Sequence, residues 1–559
     1  MMAAPRSHSS IQRMDASLRL LVNTVLHGYD SYATLKLAVL LWLAKRAMRI
    51  LKQVWIHRDK GFNGVRLWIL ARAAPLLKRV PMVEKQLASE MEKLRGDFLK
   101  DISADLTEPR AKLPAHGQSE SELTELLRTR HRLDTQYWQP GKTTGAIYHG
   151  DLEYMQWIGQ IAGMFAFTNP LHMKLHPSTR QMESEVIAIV LGLYNGPTGS
   201  CGAFTTGGTE SILMAMKSYR DWGCAAKGIT APNVVCCTTA HAAFDKAGQY
   251  FGIDIRKAGF ANDEHEIDLQ QVRRLIDGNT VALVGSACQY PTGSVDDIPG
   301  LSALAQQYNV GLHVDCCLGG FLVPFMEKAG FQTRHVFDFR VKGVTTISCD
   351  PHKYGFAPKG ASVLMFRDQE LRHEMYSFAT QWSGGIYATP TILGSRPGGV
   401  VAATWAAMMR HGEAGYVETT RKIVGATREI GAAVAAMDGV RIVGRPEVCV
   451  VAFAGESGVN CYSLCDALKQ VGSWELATLQ HPAAVHFALT LTSSGNARGF
   501  ISDLTTAIGL LRSDPAKWSG GTAGLYGTLS QLPAAFLEES AKVYLDTMSV
   551  CTADETHTP

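Results

Sequence analysis

The chain has 559 residues, of which 46% are hydrophobic, and it carries a formal net charge of +3. This apolar content excludes an intrinsically disordered chain, and the length predicts more than one folded unit with a sizeable core. The twelve cysteines show neither metal-ligand spacing nor a disulfide framework, so no metal site is predicted and a reducing compartment is favoured.

Positive charge is concentrated in residues 1–60, where ten lysines and arginines stand against three aspartates and leave −4 for the rest of the chain. Apolar residues are interleaved with these cations, which favours a membrane rather than a nucleic acid as the partner. The unbroken apolar run at 37–44 has eight residues, whereas a transmembrane helix needs roughly 20. Residues 1–60 are therefore predicted to be membrane-associated, either as a transmembrane helix or as a helix lying on the surface.

Residues 61–140 are predicted to be a helical connector. Beyond them, a helix predicted at 182–194 is followed by short β-branched strands alternating with helical stretches. The predicted strands are 233–237, 280–285, 311–315 and 344–348. This alternation predicts an α/β fold whose mostly parallel sheet is covered by helices on both faces. In such sheets ligands bind at the carboxyl ends of the strands.

A pair of glycines, Gly207 and Gly208, stands with Thr209 directly before a predicted helix at 210–221. Glycines at a helix start let backbone N–H groups approach a phosphate closely. An ordinary turn, with Thr209 as the N-cap, is an equally open alternative.

His241 and Asp315 both lie at the ends of predicted strands. A buried carboxylate there can keep a pyridine nitrogen protonated, because an opposite charge raises the pKa of that nitrogen. The imidazole ring of His241 could stack on the pyridine face. A turn aspartate and a satisfied core histidine are the alternatives.

The segment 347–360 contains His352, Lys353 and, six residues further on, Lys359. A lysine at a strand end before a Pro/Gly-rich turn is suited to forming an imine with an aldehyde cofactor. A His-Lys pair alone is more often a solvated loop feature. Together with the glycine pair, His241 and Asp315, it predicts a pyridoxal phosphate (PLP) site, with His352 near the cofactor phosphate and Lys359 available to an anionic substrate group.

After the glycine-rich stretch at 384–399, helices are predicted at 402–409 and 416–437. A smaller α/β domain follows, with predicted strands at 440–443, 448–453 and 484–491. The predicted domains are a membrane-associated segment (1–60), a connector (61–140), a large PLP-binding domain (141–395), a small C-terminal domain (396–550) and a disordered tail (551–559).

Several of these motifs resemble those of the sphingosine-1-phosphate lyase family. They are TTGGTES at 205–211, AHAAF at 240–244, HVDCCLGGF at 313–321, SCDPHKYGFAPKG at 348–360 and the segment 377–399. The resemblance runs from about residue 145 to 544. It implies an aspartate-aminotransferase-like PLP fold, working as a homodimer, that cleaves the C2–C3 bond of phosphorylated long-chain bases to a fatty aldehyde and phosphoethanolamine.

The resemblance also implies a role for each matching residue. Lys353 is then the imine lysine, Asp315 the partner of the pyridine nitrogen and His241 the stacking ring. The phosphate of PLP is held by Gly207, Gly208, Thr209, His352 and, from the second subunit, Ser395. The residues implied around the substrate are Tyr148, Asn169, His172, Lys359 and Tyr387, the last within the segment contributed across the dimer interface.

Location is a further implication of the resemblance. Eukaryotic members of the family carry one membrane span and expose the catalytic part to the cytosol, which implies the endoplasmic reticulum membrane. This chain departs from them in its short, interrupted apolar run.

Two other functions compete with a lyase. A PLP-dependent amino-acid decarboxylase needs the same Lys353, Asp315 and His241, but it must also hold a carboxylate, commonly with an arginine. A phosphate is better served by Tyr148, His172 and Lys359. A PLP-fold protein that has lost its chemistry is the third hypothesis, and the presence of every cofactor-contact residue type weighs against it.

Overall fold

The computed structural model describes residues 81–103, 112–138, 140–518, 520 and 534–549. The predicted membrane-associated segment at 1–60 and the predicted tail at 551–559 lie outside the described residues. No helix in the described part of the chain is long and apolar enough to cross a membrane.

The secondary structure alternates between helices and strands along most of the chain. The α-helices are α1 (Pro81–Ser103), α2 (Glu120–Trp138), α3 (Leu152–Met164), α4 (Pro177–Leu193), α5 (Gly208–Lys227), α6 (Ala243–Phe251), α7 (Leu269–Leu275), α8 (Ile298–Tyr308), α9 (Gln369–His373), α10 (Gly398–Ala435), α11 (Cys461–Gly472), α12 (Leu491–Ser494), α13 (Ala497–Ser513) and α14 (Ala534–Thr547). The strands are β1 (Cys201–Thr205), β2 (Asn233–Cys237), β3 (Asp254–Ala258), β4 (Thr280–Ser286), β5 (Gly311–Cys316), β6 (Thr346–Cys349), β7 (Ser362–Phe366), β8 (Ser377–Ala379), β9 (Tyr387–Thr389), β10 (Val440–Ile442), β11 (Val450–Gly455), β12 (Ala477–Gln480) and β13 (Ala483–Ala488).

The chain divides into two compact units. One comprises Met1–His116 with Gln531–Pro559, and the other Gly117–Ser530. In the first unit α1 packs on α14, with Phe98 edge-on to Tyr544 at 5.2 Å between ring centroids. The domain boundaries predicted at 140 and 395 remain predictions.

A seven-stranded sheet forms the centre of the second unit, in the order β1-β7-β6-β5-β4-β2-β3. Strand β7 is antiparallel to both of its neighbours, and the other neighbouring strands are parallel. The predicted mostly parallel sheet is thereby confirmed. The strands predicted from β-branched runs correspond to β2, β4, β5 and β6.

The sheet separates two apolar layers, because successive side chains of a strand point to opposite faces. Val234 packs in one layer with residues of α5 and α6, and its neighbour Val235 packs in the other with residues of α4, α8 and α10. Both faces of the sheet are therefore covered, as an all-buried parallel strand requires.

A second, antiparallel sheet follows in the order β10-β11-β13-β12. It packs against α11 and α13, where Phe487 of β13 lies 4.9 Å from Phe500 between ring centroids. The two helices predicted at 402–409 and 416–437 form the single element α10, which is interrupted at Gly412 (φ 56°, ψ −177°). Glycine adopts this positive φ without the cost that a Cβ would bring.

A histidine lies in the middle of the central strand β5. His313 is fully buried, with Nδ1 2.8 Å from the hydroxyl of Thr346 and Nε2 3.2 Å from that of Ser348. Burial lowers the pKa of His313 to about 4, and the nearby Asp315 opposes that effect. The histidine is therefore neutral in the folded protein at neutral pH.

Acid should destabilise the protein through His313. Below the ordinary pKa of 6.5 the unfolded chain takes up a proton that the folded chain refuses, so stability falls as the pH drops from about 6.5 towards 4. The loss is on the order of 3 kcal/mol at the acid end. Thermal melts across this range should show a shallower decline for His313→Gln than for the exposed control His116→Gln. Equal slopes of melting temperature against pH in the two variants would contradict the conclusion that His313 is buried in its neutral form.

Candidate active site

The predicted site residues begin at the carboxyl edge of the seven-stranded sheet. Asp315 and Ser348 are paired in register on the parallel strands β5 and β6. The carboxylate of Asp315 is 7% exposed and accepts hydrogen bonds from the backbone N–H of Cys317 (2.9 Å) and the hydroxyl of Ser348 (3.3 Å). Asp315 is thus a buried, oriented acceptor at a strand end.

The loop after β6 carries Lys353. Its ammonium nitrogen lies 3.0 Å from Oδ2 of Asp350, and Nε2 of His352 lies 3.5 Å from the same oxygen. Burial alone lowers the pKa of Lys353, but the adjacent Asp350 reverses this and leaves the pKa above its ordinary value. Burial lowers the pKa of His352 to about 4, against the attraction of Asp350. Lys353 is held as a cation beside a neutral histidine.

Asp350 is a site residue to which the sequence reasoning gave no role. It is 1% exposed, and its Oδ1 has no hydrogen-bond partner although it is buried. Burial raises the pKa of this carboxyl, but Lys353 and His352 lower it more, so the pKa stays below its ordinary value. The sequence feature that could have indicated this role is the position of Asp350, an acidic residue three places before Lys353 in the same motif.

A cavity of about 380 Å³ joins this loop to the start of α5. Its lining residues are Thr206, Gly207, Gly208, Thr209, Glu210, Ile212, His241, Cys317, Asp350, His352 and Lys353. The structure therefore brings together six of the predicted residues, namely the glycine pair, Thr209, His241, His352 and Lys353. Asp315 lies at the neighbouring strand end.

The glycine pair is required by close packing at this cavity. A Cβ on Gly208 would lie 2.6 Å from Sγ of Cys317 and 2.8 Å from Oδ2 of Asp350, and one on Gly207 would lie 3.2 Å from the ring of His352. Gly207 also has φ 151°, which other residues rarely adopt. The bare backbone leaves the N-terminus of α5 facing the cavity, as phosphate binding needs.

His241 meets a tyrosine that the sequence reasoning did not single out. The backbone N–H of Ala243 donates to Nδ1 of His241 (3.1 Å), and the imidazole stands edge-on to Tyr290 at 6.5 Å between ring centroids. Tyr290 in turn stacks on the buried His486 of β13 at 4.6 Å. Burial raises the pKa of Tyr290 and the positive charge of Lys353 opposes it; the side chain is 45% exposed and lies beside His241.

Two of the predicted substrate residues are in contact. The ammonium of Lys359 lies 4.6 Å from the ring centroid of Tyr148, and that ring packs edge-on against Tyr354 at 4.8 Å. Burial raises the pKa of Tyr148 to about 12, although Lys353 opposes it. Burial and then repulsion from Lys353 lower the pKa of Lys359. A protonated phenol thus lies beside the cation of Lys359, whose side chain is exposed to solvent.

The other predicted residues lie elsewhere in the chain's own fold. The amide oxygen of Asn169 accepts from the backbone N–H groups of Leu171 (3.0 Å) and Arg396 (3.1 Å), while His172 and Ser395 are exposed. Tyr387 lies on β9 and is 40% exposed. Among the described residues, no hydrogen bond, ion pair or ring contact joins any of these four to Lys353 or Lys359.

Known proteins were compared with this sequence and structure. Residues 106–455 match the model of the pyridoxal-dependent decarboxylase conserved domain. The sphingosine-1-phosphate lyase of Drosophila melanogaster is 40% identical over 84% of this chain and 87% of its own length. The chain belongs to the sphingosine-1-phosphate lyase family.

Solved structures agree with the family assignment. The sphingosine-1-phosphate lyase of Burkholderia pseudomallei superposes with a TM-score of 0.73 at 36% identity, over 80% of this chain and 99% of that one. A glutamate decarboxylase of Lactobacillus brevis gives a TM-score of 0.62 at 23% identity, over 74% and 97%, and this second likeness shows the fold alone. As a member of this family, the chain uses PLP as its cofactor. The cavity fits PLP, because it combines a lysine, a buried carboxylate and two glycines at a helix N-terminus.

Proposed function

We propose that this chain is a PLP-dependent lyase that cleaves the C2–C3 bond of phosphorylated long-chain bases to a long-chain aldehyde and phosphoethanolamine. The observation that carries the proposal is the contact between Lys359 and Tyr148, because an ammonium beside a phenol offers two donors to a substrate phosphate. The charge of Lys353 affects the pKa of both groups, which supports their proximity to that lysine. Its relatives in Drosophila melanogaster and Burkholderia pseudomallei are named sphingosine-1-phosphate lyases.

The predicted site residues in and around the cavity have distinct proposed tasks. PLP, when bound, supplies a sink for the electron pair released as the carbon–carbon bond breaks. Lys353 holds the cofactor, Asp315 holds the proton on its pyridine nitrogen, and His241 stacks on its ring. Gly207, Gly208, Thr209 and His352 surround its phosphate at the start of α5. Tyr148 and Lys359 orient the substrate through its phosphate.

An amino-acid decarboxylase is the weaker reading of the same scaffold. That chemistry commonly uses an arginine to hold the substrate carboxylate. None of the residues that line the cavity in the described chain is an arginine. Arg396, in the nearby glycine-rich loop, is already paired with the buried Glu183 of α4.

A homodimer is the proposed working form. The segment at 377–396 exposes large apolar side chains, including Phe378 (64%), Trp382 (58%) and Ile386 (83%), around Tyr387 and Ser395. Covering such a patch is favourable, and a second subunit would carry Tyr387 and Ser395 towards a partner cavity. Sedimentation equilibrium of the purified protein tests this, and a monomer at micromolar concentration would refute it.

Residues 1–60 are proposed to attach the enzyme to the endoplasmic reticulum membrane with the catalytic part in the cytosol. The support is their basic, apolar-interleaved sequence, in which Lys45, Arg46 and Arg49 follow the apolar run and would lie on the cytosolic side. Carbonate extraction separates a span, which resists it, from a surface helix, which is released. Recovery in the soluble fraction without any wash would contradict both forms.

The first expected result concerns the reaction itself. Purified protein should convert a phosphorylated sphingoid base to aldehyde and phosphoethanolamine in equal amounts, whereas Lys353→Ala should remain folded and lose turnover because nothing then holds the cofactor covalently. Borohydride should fix the chromophore to the wild type and leave the variant unlabelled. Substantial turnover by Lys353→Ala would remove that lysine from its proposed role. Release of carbon dioxide from an added amino acid, with no cleavage of the phosphorylated base, would favour a decarboxylase.

The preference for a phosphorylated over an unphosphorylated base should depend on Lys359. Charge-assisted contacts to a partly desolvated anion contribute about 1.5–3 kcal/mol each, so Lys359→Ala should lower kcat/KM for the phosphorylated base roughly tenfold to a hundredfold. The cofactor spectrum should be retained. Comparable kcat/KM of the wild type for phosphorylated and unphosphorylated bases would contradict phosphate recognition. His172→Ala should give a similar loss if a second subunit delivers His172 to the site.

A further inference from the structure

The backbone between Lys353 and Lys359 is held by two buried tyrosines from separate helices. The hydroxyl of Tyr154, on α3, donates to the carbonyl oxygen of Phe356 at 3.0 Å. The hydroxyl of Tyr416, on α10 just beyond its interruption, donates to the carbonyl oxygen of the preceding Gly355 at 2.9 Å. Two consecutive carbonyls in the middle of the loop are therefore fixed to elements outside it.

The conformation that these bonds hold is an unfavourable one. Phe356 has φ 61°, in the left-handed region where a bulky residue is uncommon. Such a conformation persists only where the surroundings over-determine it. The N–H groups of Phe356 and Ala357 are bonded within the turn, to the carbonyls of Lys353 and Pro351. From outside the loop, the two tyrosine hydroxyls hold the carbonyls of Gly355 and Phe356, and the rings of His149 and His411 pack on the Phe356 side chain.

Lys359 lies over the ring of Tyr148, and a different part of the chain holds the backbone of Tyr148. The backbone N–H of Leu491 donates to the carbonyl of Tyr148 at 3.1 Å, and the hydroxyl of Tyr354 donates to the carbonyl of Leu489 at 2.6 Å. The backbone of Tyr148 is therefore held from outside the loop, while its ring also packs on Tyr354 of the loop. Movement of the loop would separate Lys359 from Tyr148 while Lys353, anchored beside Asp350, remained.

We propose that Tyr154 and Tyr416 are positioning residues that set the distance between Lys353 and Lys359, and through it the affinity for the substrate phosphate. This inference rests on the proposed function, in that Lys359 is taken to bind that phosphate. The two tyrosines touch neither cofactor nor substrate and act through the backbone of the loop.

The chain offers substitutions that remove the hydroxyls alone. The ring of Tyr154 stacks on His149 at 3.9 Å and that of Tyr416 on Phe325 at 5.3 Å, so Tyr154→Phe and Tyr416→Phe keep the packing. Tyr462→Phe is the matched control, because its phenol also donates to a backbone carbonyl, that of Leu479 at 2.9 Å, within the second sheet.

The test measures kcat and KM for a phosphorylated sphingoid base, and the dissociation constant of phosphoethanolamine by calorimetry, on the PLP-loaded enzyme. Each single variant should raise KM and the dissociation constant about threefold and the double variant about tenfold or more, since a lost bond leaves a buried carbonyl unpaired. The value of kcat and the cofactor absorbance should stay within about threefold of wild type, because Lys353 keeps its place. Tyr462→Phe should match wild type throughout.

Two outcomes would overturn the proposal. One is a double variant whose KM and dissociation constant equal those of Tyr462→Phe. The other is a fall in kcat together with lost cofactor absorbance, which would mean that the tyrosines support Lys353 itself. If the double variant fails to fold, the single variants decide by the same criteria. A wild type that binds phosphoethanolamine without cleaving the phosphorylated base would refute the proposed function, and the binding measurements would still judge the tyrosines.

Discussion

The ion pair between Lys353 and the buried Asp350 is the interaction on which the geometry of the site depends. A charge taken out of water costs several kcal/mol, and the cost is recovered only when its partner and the surrounding hydrogen bonds are well placed. Here the two charges are 3.0 Å apart, and the Asp350 carboxylate packs so closely against Gly208 that a Cβ at that position could not be accommodated. Asp350 therefore brings the lysine loop into close contact with the first turn of α5, and the cavity lies between them.

Local sequence patterns were sufficient for the parts of the site that strands and turns create. The β-branched runs located β2, β4, β5 and β6, and the strand-end position of Asp315 followed from them. The glycine pair predicted that another group approaches the backbone closely. In the structure those groups are the side chains of Asp350 and Cys317, which contact Gly208. These features could be predicted because each depends on residues that are neighbours along the chain or along a strand.

The contacts that sequence reasoning missed join distant parts of the chain. Tyr154 reaches the loop from 202 residues away, and Tyr416 from 61. Tyr290 stands edge-on to the predicted site residue His241 and is itself stacked on His486, from a strand of the other sheet. Nothing in the spacing of a lone tyrosine distinguishes such a partner from an ordinary core residue. Four other residues were assigned by resemblance, namely Asn169, His172, Tyr387 and Ser395. Within one chain none of them contacts Lys353 or Lys359 among the described residues. A site completed by a second subunit would require this separation.

The charges at the substrate end favour a phosphate over a carboxylate. Burial lowers the pKa of Lys359, and repulsion from the positive charge of Lys353 lowers it further. A dianionic phosphate beside Lys359 relieves this repulsion more fully than a carboxylate with a single charge. The phenol of Tyr148, kept protonated by a pKa of about 12, can donate to the anion without adding negative charge. The cofactor end of the cavity serves lyases and decarboxylases alike, so it is this pair of side chains, rather than the fold, that distinguishes the proposed substrate.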